Sequence, residues 1–342
     1  MDNSIVISTP PHVKSRRTTK GIMLDVIIAL IPAAVMGIVY FRLDAFIIEI
    51  TAVLAAVATE FVYFFIKNKG FSRQAGEVCK KWWKQFDYTS IVTGLILALI
   101  LPSTVKWYEV LIGAIFSIAI VKMVFGGTGK NLVNPAATGR IFMFLSFSLT
   151  VFTACKIDPI NSGSELFTGA THLSGFVLGG DATGKINWLD LFLGTGVAGC
   201  IGETCKVALL LGYIYLVVRK VIKWWQPLLY IVVASFLSVC FAAIGSKQFE
   251  IGLFLDYMLS GGLMFGAIFM ATDYVTSPKG VYGQIVYYIA LGFLTALLRY
   301  LTKIEVVSFV IMLMNLLVPM IDTYIVRKPF GYKKVKKQKE GK

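Results

Sequence analysis

Charged residues are scarce in this sequence. Of its 342 residues only 15% are Asp, Glu, Lys or Arg, whereas soluble domains contain about 25%. Hydrophobic residues make up 57% of the chain, and the mean hydropathy is +0.75. A water-soluble globule of this size could not bury so much apolar surface, and disordered, collagen-like and small disulfide-rich chains have different compositions. The composition therefore indicates a protein whose solvent is the bilayer.

Residues that bind metals or form disulfides are also few. The five cysteines form no CxxC pair and no cluster with histidine, and His12 and His172 are the only histidines. We therefore expect packing roles for the cysteines and no metal site. The segment 1–20 is polar and basic without an apolar core. It is expected to be a cytoplasmic N-terminal segment and not a cleaved signal peptide.

Apolar stretches of about 20 residues, the length that crosses a bilayer, recur along the chain. Ten candidate spans can be counted, of which the third and eighth are short and contain residues that loosen a helix. The ten stretches are 21–41, 45–66, 88–102, 107–125, 135–153, 197–218, 227–245, 257–272, 281–300 and 304–326. The predicted fold class is an all-α integral membrane protein with about ten transmembrane helices.

The basic residues are distributed unevenly between the two sides that ten spans define. With the N-terminus inside, and with Arg299 at the end of the ninth stretch counted as outer, 23 of the 33 Lys and Arg residues fall on the inner side, seven on the outer side and three within spans. Basic residues gather in cytoplasmic loops, so both termini are predicted to be cytoplasmic. The net charge of +14 then faces anionic lipid head groups, and no nucleic-acid partner is expected.

A faint internal repeat relates the two short spans. The stretch Gly-Leu-Ile-Leu-Ala at 94–98 resembles Gly-Leu-Met-Phe-Gly at 262–266. Two five-helix repeats of opposite orientation are common in transporter folds, and this pattern predicts such an inverted repeat. The predicted units are the N-terminal segment 1–20, a first repeat at 21–153, a long extracytoplasmic loop at 154–196, a second repeat at 197–326 and a basic cytoplasmic tail at 327–342.

Ionisable residues inside spans are costly and are candidates for function by default. Four acids are the predicted ion-path residues: Glu60, Glu203, Asp273 and Asp322. Asp273 and Asp322 fall near span ends, where solvated helix termini are the alternative interpretation. Glu203 falls three residues before Lys206 in the sixth predicted span, where the two side chains could neutralise each other.

A glycine-rich turn precedes the fifth span. The sequence Gly-Gly-Thr-Gly-Lys-Asn at 126–131 lacks the spacing of a phosphate-binding loop, so nucleotide hydrolysis is not expected. Asn131 and Asn134 follow, and their amides both donate and accept hydrogen bonds, which suits a planar heterocycle with imide groups. Ordinary turn and N-cap chemistry is the alternative.

A second motif, Thr-Gly-Ala-Thr at 168–171, lies in the predicted outer loop. It offers an accessible threonine hydroxyl, which is a weak nucleophile. Covalent chemistry at this position would need a separate enzyme or an activating base.

Several blocks together resemble one known family. They are 8–13, 126–140, 168–171, 270–273 and 319–322, in that order along the chain. The chain resembles the D subunit of the Rnf ion-translocating oxidoreductase and its relative, the B subunit of the Na⁺-pumping NADH:quinone reductase. The resemblance covers nearly the whole chain, and the second and third blocks are its most specific parts.

The resemblance implies a covalent flavin in the outer loop. A separate flavin transferase would join FMN through a phosphoester bond to Thr171, the last residue of the motif that begins with Thr168, Gly169 and Ala170.

The resemblance also implies a site on the opposite side of the membrane. Asn131 and Asn134, with Gly129 in the same block, are candidates for holding a non-covalent riboflavin. The acids Glu60 and Asp273, together with Asp322, match residues linked to cation uptake in the quinone reductase.

The implied function is that of a membrane electron relay in a complex that transfers electrons between ferredoxin and NAD⁺ and transports Na⁺ or H⁺. The chain would not be catalytic alone, and its partners would be other Rnf subunits, the bilayer and the flavin transferase. The implied location is a bacterial cytoplasmic (inner) membrane. A non-redox solute channel or transporter, or a structural membrane scaffold, is the alternative.

Overall fold

The computed structural model describes residues 17–68, 75–152, 154–156, 167–169, 188–194, 199–246, 252–302 and 304–325. Within these ranges the chain is mainly helical. The helices are α1 (Thr19–Lys67), α2 (Ala75–Gln85), α3 (Thr89–Leu99), α4 (Trp107–Ile115), α5 (Pro135–Ser146), α6 (Ser148–Phe152), α7 (Trp188–Leu193), α8 (Lys206–Val218), α9 (Trp225–Ser246), α10 (Gly252–Leu259), α11 (Leu263–Phe265), α12 (Val281–Thr302) and α13 (Val307–Tyr324). Two of them continue as π-helices, α4 through Phe116–Met123 and α11 through Gly266–Met270.

The first helix, α1, consists of two helices joined at Arg42. As one straight rod its 49 residues would measure about 74 Å, more than twice the apolar thickness of a bilayer. Arg42 departs from helical geometry, with φ 53° and ψ −132°. A Cβ atom on Gly37 would lie 3.4 Å from the carboxylate of Glu49, so the chain folds back between these residues. The turn falls between the first two predicted spans, 21–41 and 45–66.

Several of the described helices are long and apolar enough to cross a membrane. Helices α1, α9, α12 and α13 each meet this condition. Helices α10 and α11 meet it together as a broken span that bends by 63°. The break contains Gly261, whose φ of 65° favours glycine, as the loosened eighth span predicts. The chain is therefore a mainly helical, multi-pass membrane protein.

The short helix α3 covers about half of a bilayer core, and its end is completed by another segment. The peptide N–H of Ile201 donates to the Leu101 carbonyl at 3.0 Å, and that of Gly202 donates to the Leu99 carbonyl at 2.7 Å. Backbone polar groups at membrane depth must be satisfied inside the protein. The irregular segment before α8 thus completes the end of α3.

The predicted boundaries of two spans are wrong. In the sixth predicted span, 197–218, the described residues 199–205 are not helical. Helix α8 begins at Lys206, and Glu203 lies in the preceding turn. A buried irregular segment that packs against α3 is as apolar as a helix, so hydropathy does not separate the two. The fifth span, 135–153, is divided between α5 and α6.

The structure describes little of the predicted outer loop, 154–196. Strand β1 (Ala154–Lys156) pairs antiparallel with β2 (Phe167–Gly169), which sets Thr168 opposite Cys155. Ala170 and Thr171 lie outside the described residues, as does the predicted basic tail.

The packing of α3 against α1 leads to a test. A Cβ atom on Gly94 would lie 2.8 Å from the carbonyl oxygen of Ala52, which is backbone and cannot turn aside. We expect Gly94→Ala to lower the free energy of unfolding by about 1–3 kcal/mol, as measured by denaturant titration in detergent. Gly76→Ala in α2 is the control, because its new Cβ would meet nothing within 4 Å. Equal loss in both variants would contradict the close approach of the two helices.

Candidate functional site

A cavity at the beginning of α5 contains three of the predicted site residues. Asn131, Asn134 and Asp273 all line it, together with side chains from α1, α3, α8 and the π-helix that follows α11. We name it the asparagine cavity, and its volume is about 100 Å³. Its polar lining residues are Thr89, Thr93, Lys122, Thr128, Asn131, Asn134, Thr272 and Asp273, and its apolar walls include Val92, Ile96, Ile268 and Phe269.

Asn134 is the N-cap residue of α5. Its Oδ1 accepts hydrogen bonds from the peptide N–H groups of Ala136 at 3.0 Å and Ala137 at 3.3 Å. Its Nδ2 donates to the carbonyl of Met270 at 3.3 Å, at the end of the second π-helix. Pro135 then occupies the first helical position, where its missing N–H costs nothing. The turn-and-cap interpretation therefore applies to Asn134, whose buried amide is used by the fold.

Asn131 has a different environment. Asn131 lines the cavity. Its Oδ1 is buried and has no hydrogen-bond partner among the described residues. A buried acceptor without a partner is costly unless a ligand or water satisfies it. Gly129 lies two residues earlier with φ 88°, which favours glycine, and shapes the turn without lining the cavity. Of the two predicted asparagines, Asn131 is therefore the one available to a ligand.

A buried ion pair lies at the wall of this cavity. Lys122, on the π-helix after α4, donates from Nζ to Glu60 Oε2 at 3.2 Å. It also donates to Thr89 Oγ1 at 2.6 Å and to Ser90 Oγ at 2.9 Å, at the beginning of α3. Ser90 Oγ donates to the same Glu60 oxygen. The Lys122 side chain is 1% exposed and that of Glu60 12% exposed, so this charge pair is held almost entirely by the protein.

Asp87 extends this cluster. Its Oδ1 accepts a hydrogen bond from Thr89 Oγ1 at 2.6 Å, and Thr89 Oγ1 lies 3.2 Å from Thr128 Oγ1. Burial raises the pKa of Asp87, but hydrogen bonds from Thr89 and Thr128 and the charge of Lys122 outweigh burial and place the pKa below its ordinary value of 3.8. Asp87 is therefore a fixed anion beside the ion pair.

A second cavity is lined by Glu60. Its volume is about 360 Å³, and we name it the lateral cavity. The charged residues that line it are Glu60, Lys67, Lys81 and Asp87. Thr128 lines both this cavity and the asparagine cavity. Lys122 lines the asparagine cavity and Glu60 lines the lateral cavity, so their ion pair lies between the two.

Asp273 and Asp322 have partners in turns. The Asp273 carboxylate accepts from the N–H of Val275 at 3.4 Å and from Thr276 Oγ1 at 3.0 Å. Asp322 Oδ1 accepts from the N–H of Lys279 at 3.2 Å. Both acids stabilise the segment that links α11 to α12, and Asp273 also lines the asparagine cavity.

Glu203 belongs to a separate charge network. Its Oε1 accepts from Arg140 at 3.4 Å, and the Lys206 ammonium donates to its backbone carbonyl. A Cβ atom on Gly262 would collide with the Glu203 carboxylate. The helix break between α10 and α11 therefore makes room for this acid, which faces Arg140 and not the asparagine cavity.

Comparison with known proteins assigns the chain to a family. Residues 6–331 match the family model described as NQR2, RnfD, RnfE. The chain belongs to the NQR2, RnfD, RnfE family. The resemblance inferred from the sequence blocks is thereby confirmed.

Two full-length relatives in this family are equally similar to the chain. It is 35% identical over 337 residues to the D subunit of the Na⁺-translocating ferredoxin:NAD⁺ oxidoreductase complex of Acetobacterium woodii, with 98% of each chain covered. It is also 35% identical over 338 residues to the D subunit of the proton-translocating complex of Clostridium ljungdahlii, covering 96% of this chain and 97% of the relative. The names of two equally similar relatives thus specify different ions.

A third relative belongs to the quinone-reductase branch of the family. The B subunit of the Na⁺-translocating NADH-quinone reductase of Chromohalobacter salexigens is 34% identical over 242 residues. The match covers 69% of this chain and 58% of the relative.

The sequence did not reveal the surroundings of several charged residues of this family member. Arg299 is 1% exposed and pairs with Glu305 at 2.9 Å, although charge counting assigned Arg299 to an outer loop. Glu49, which falls inside a predicted span, is buried, and its Oε1 has no hydrogen-bond partner among the described residues. The position of Lys122 inside a span was visible, but its contact with Glu60, 62 positions away, was not.

The two asparagines are expected to differ in their effect on stability. Asn134→Ala should lower the free energy of unfolding by about 1–2 kcal/mol, because it removes an N-cap and its buried hydrogen bonds. Asn131→Ala is the matched variant and should leave stability within about 0.5 kcal/mol of wild type, since its Oδ1 has no protein partner among the described residues. Denaturant titration in detergent measures both. A larger loss for Asn131→Ala would show that the roles are reversed.

Proposed function

We propose that the chain is the D subunit of an Rnf-type ion-translocating ferredoxin:NAD⁺ oxidoreductase complex. The match to named D subunits over nearly the whole of both chains carries this proposal. The chain acts as an electron relay in the bacterial cytoplasmic membrane and is not a catalyst by itself. Other members of the complex supply the ferredoxin and NAD⁺ chemistry.

The relay has about ten spans in two inverted repeats, with the domain boundaries and the cytoplasmic termini predicted from the sequence. A correspondence between buried cations supports the repeat. The ammonium of Lys122 donates to Ser90 at the beginning of α3 and pairs with Glu60. Arg299 contacts the backbone just before α11 and pairs with Glu305. Each short helix thus begins beside a buried cation with its own carboxylate.

In this proposal the outer loop carries FMN on Thr171, attached by a flavin transferase. The Thr-Gly-Ala-Thr motif supports the assignment, and a phosphoester bond prevents loss of a cofactor that faces the outside. An isoalloxazine ring supplies the electron-transfer chemistry, and the protein positions it.

The covalent flavin has a direct test. Denatured protein made together with its flavin transferase should show a fluorescent flavin band on a gel under ultraviolet light, and Thr171→Ala should abolish the band. Thr183→Ala removes another threonine from the same loop and should leave the band intact. A wild-type protein without the band would favour the channel or transporter alternative. A band that survives Thr171→Ala would show that the flavin is attached to another residue.

A non-covalent riboflavin fits the donor set of the asparagine cavity. The unpartnered Oδ1 of Asn131 can accept from an imide N–H, and Lys122 places a positive charge on the same wall. The volume of about 100 Å³ is smaller than that of typical small-molecule sites, about 300–1,000 Å³. Binding therefore requires side chains of the cavity to move apart.

The ion path in this proposal uses acids that the cavities reach. Glu60 lines the lateral cavity and Asp273 the asparagine cavity, which supports roles for both in cation uptake. Glu203 and Asp322 are proposed as ion-path residues on sequence grounds. In the structure Glu203 faces Arg140, and Asp322 supports a turn. The transported ion is Na⁺ or H⁺.

Riboflavin binding is tested by the flavin content of the purified complex. Asn131→Ala should reduce acid-extractable flavin severalfold, because the free acceptor in the cavity is lost, while the covalent band stays unchanged. Asn68→Ala at the end of α1 is the control outside this cavity. Chromatography of the extracted flavin measures the effect. Equal flavin content in both variants would remove Asn131 from the site.

A further inference from the structure

Lys122 is a single positive charge that faces two sites. Lys122 lines the asparagine cavity, and its ammonium donates to the carboxylate of Glu60, a residue that lines the lateral cavity. The ammonium has three N–H donors, and Glu60, Thr89 and Ser90 accept them. A new anion in the asparagine cavity would therefore have to compete with one of these three acceptors.

Glu60 is the partner that such competition affects most. Within the described residues it is the only carboxylate at ion-pair distance from Lys122. Asp87 is reached through the hydroxyl of Thr89 and keeps its own hydrogen bonds. A buried carboxylate that loses its cation has to bind another cation or a proton. The lateral cavity gives Glu60 access to one.

We propose that Lys122 is a positioning residue that couples the charge of the flavin in the asparagine cavity to cation binding at Glu60. This inference rests on the proposed function. When bound there, a flavin reduced by two electrons from partner subunits and one proton from water would supply one negative charge. The Lys122 ammonium shifts toward that charge, and Glu60 binds Na⁺ or H⁺ from the lateral cavity. Transfer of the electrons to the next carrier would reverse the movement of Lys122 and release the cation from Glu60.

The geometry favours this role over that of a purely structural ion pair. The lysine ammonium sits at the end of a flexible four-carbon stem, so a small rotation changes its partner. Lys122 also lies on a π-helix, a form that is frequent at functional sites. The coupling is reciprocal: if the reduced flavin strengthens cation binding at Glu60, the cation must favour reduction by the same factor.

The test measures the midpoint potential of the non-covalent flavin in the purified complex by spectroelectrochemical titration. Na⁺ is varied at constant pH and ionic strength, and pH is varied at constant Na⁺. In wild type, the transported cation should raise the potential, with about tenfold tighter binding in the reduced state, or about 30 mV for a two-electron couple. Lys122→Gln should lower the potential and reduce the ratio of affinities to below about twofold.

Two further variants separate position from charge. Lys122→Arg keeps a cation and should retain most of the cation dependence. Lys130→Gln removes one positive charge from an exposed side chain of the neighbouring turn and should match wild type. If Lys122→Gln does not assemble, Glu60→Gln is measured instead: its potential should be higher than that of wild type without cation, and independent of the cation.

The possible outcomes distinguish failure of the coupling from failure of the proposed flavin sites. Unchanged cation dependence in Lys122→Gln, or a wild-type potential that responds to neither cation, overturns the coupling while leaving the flavins in place. A lower potential in Glu60→Gln also overturns it. A wild-type complex without acid-extractable flavin overturns both the riboflavin site and the coupling. Loss of the fluorescent band alone affects only the covalent FMN.

Discussion

A charge at membrane depth has to be neutralised inside the protein, and the ion pair of Lys122 and Glu60 shows what this requirement does to the fold. Removing one partner of a buried pair leaves an uncompensated charge, which costs about 3–5 kcal/mol. The pair joins α1 to the π-helix after α4, and Ser90 brings in the beginning of α3. The positions of three helices thus depend on one charge pair. Arg299 and Glu305 impose the same requirement at the broken span formed by α10 and α11.

The same requirement applies to uncharged backbone. A half-length helix leaves carbonyl groups in the bilayer, and those of Leu99 and Leu101 are satisfied by the segment before α8. Asn134 does the corresponding work elsewhere, capping α5 and holding the carbonyl of Met270. The irregular segments therefore satisfy the backbone groups at the ends of neighbouring helices. A cavity between such segments can be polar without destabilising the helices around it.

Features set by the length of apolar runs could be predicted from the sequence, whereas features set by contacts between distant segments could not. The reversal at Arg42 and the broken span at Gly261 follow from hydropathy and glycine placement. The start of α8 at Lys206 was missed because the preceding segment is equally apolar. Arg299 was assigned to a loop because a charge near a span end looks solvated, and only the fold shows its burial.

The two asparagines show the same limit at the site and indicate how the site can work. Their side-chain chemistry is identical, so sequence reasoning assigns both the same role, yet the fold uses Asn134 and leaves Asn131 Oδ1 without a partner among the described residues. Asn131 and Lys122 both line one cavity. Energy conversion requires that an electron and an ion influence each other without sharing a site. One cation between two cavities meets that requirement, because its charge can be fully used on only one side at a time.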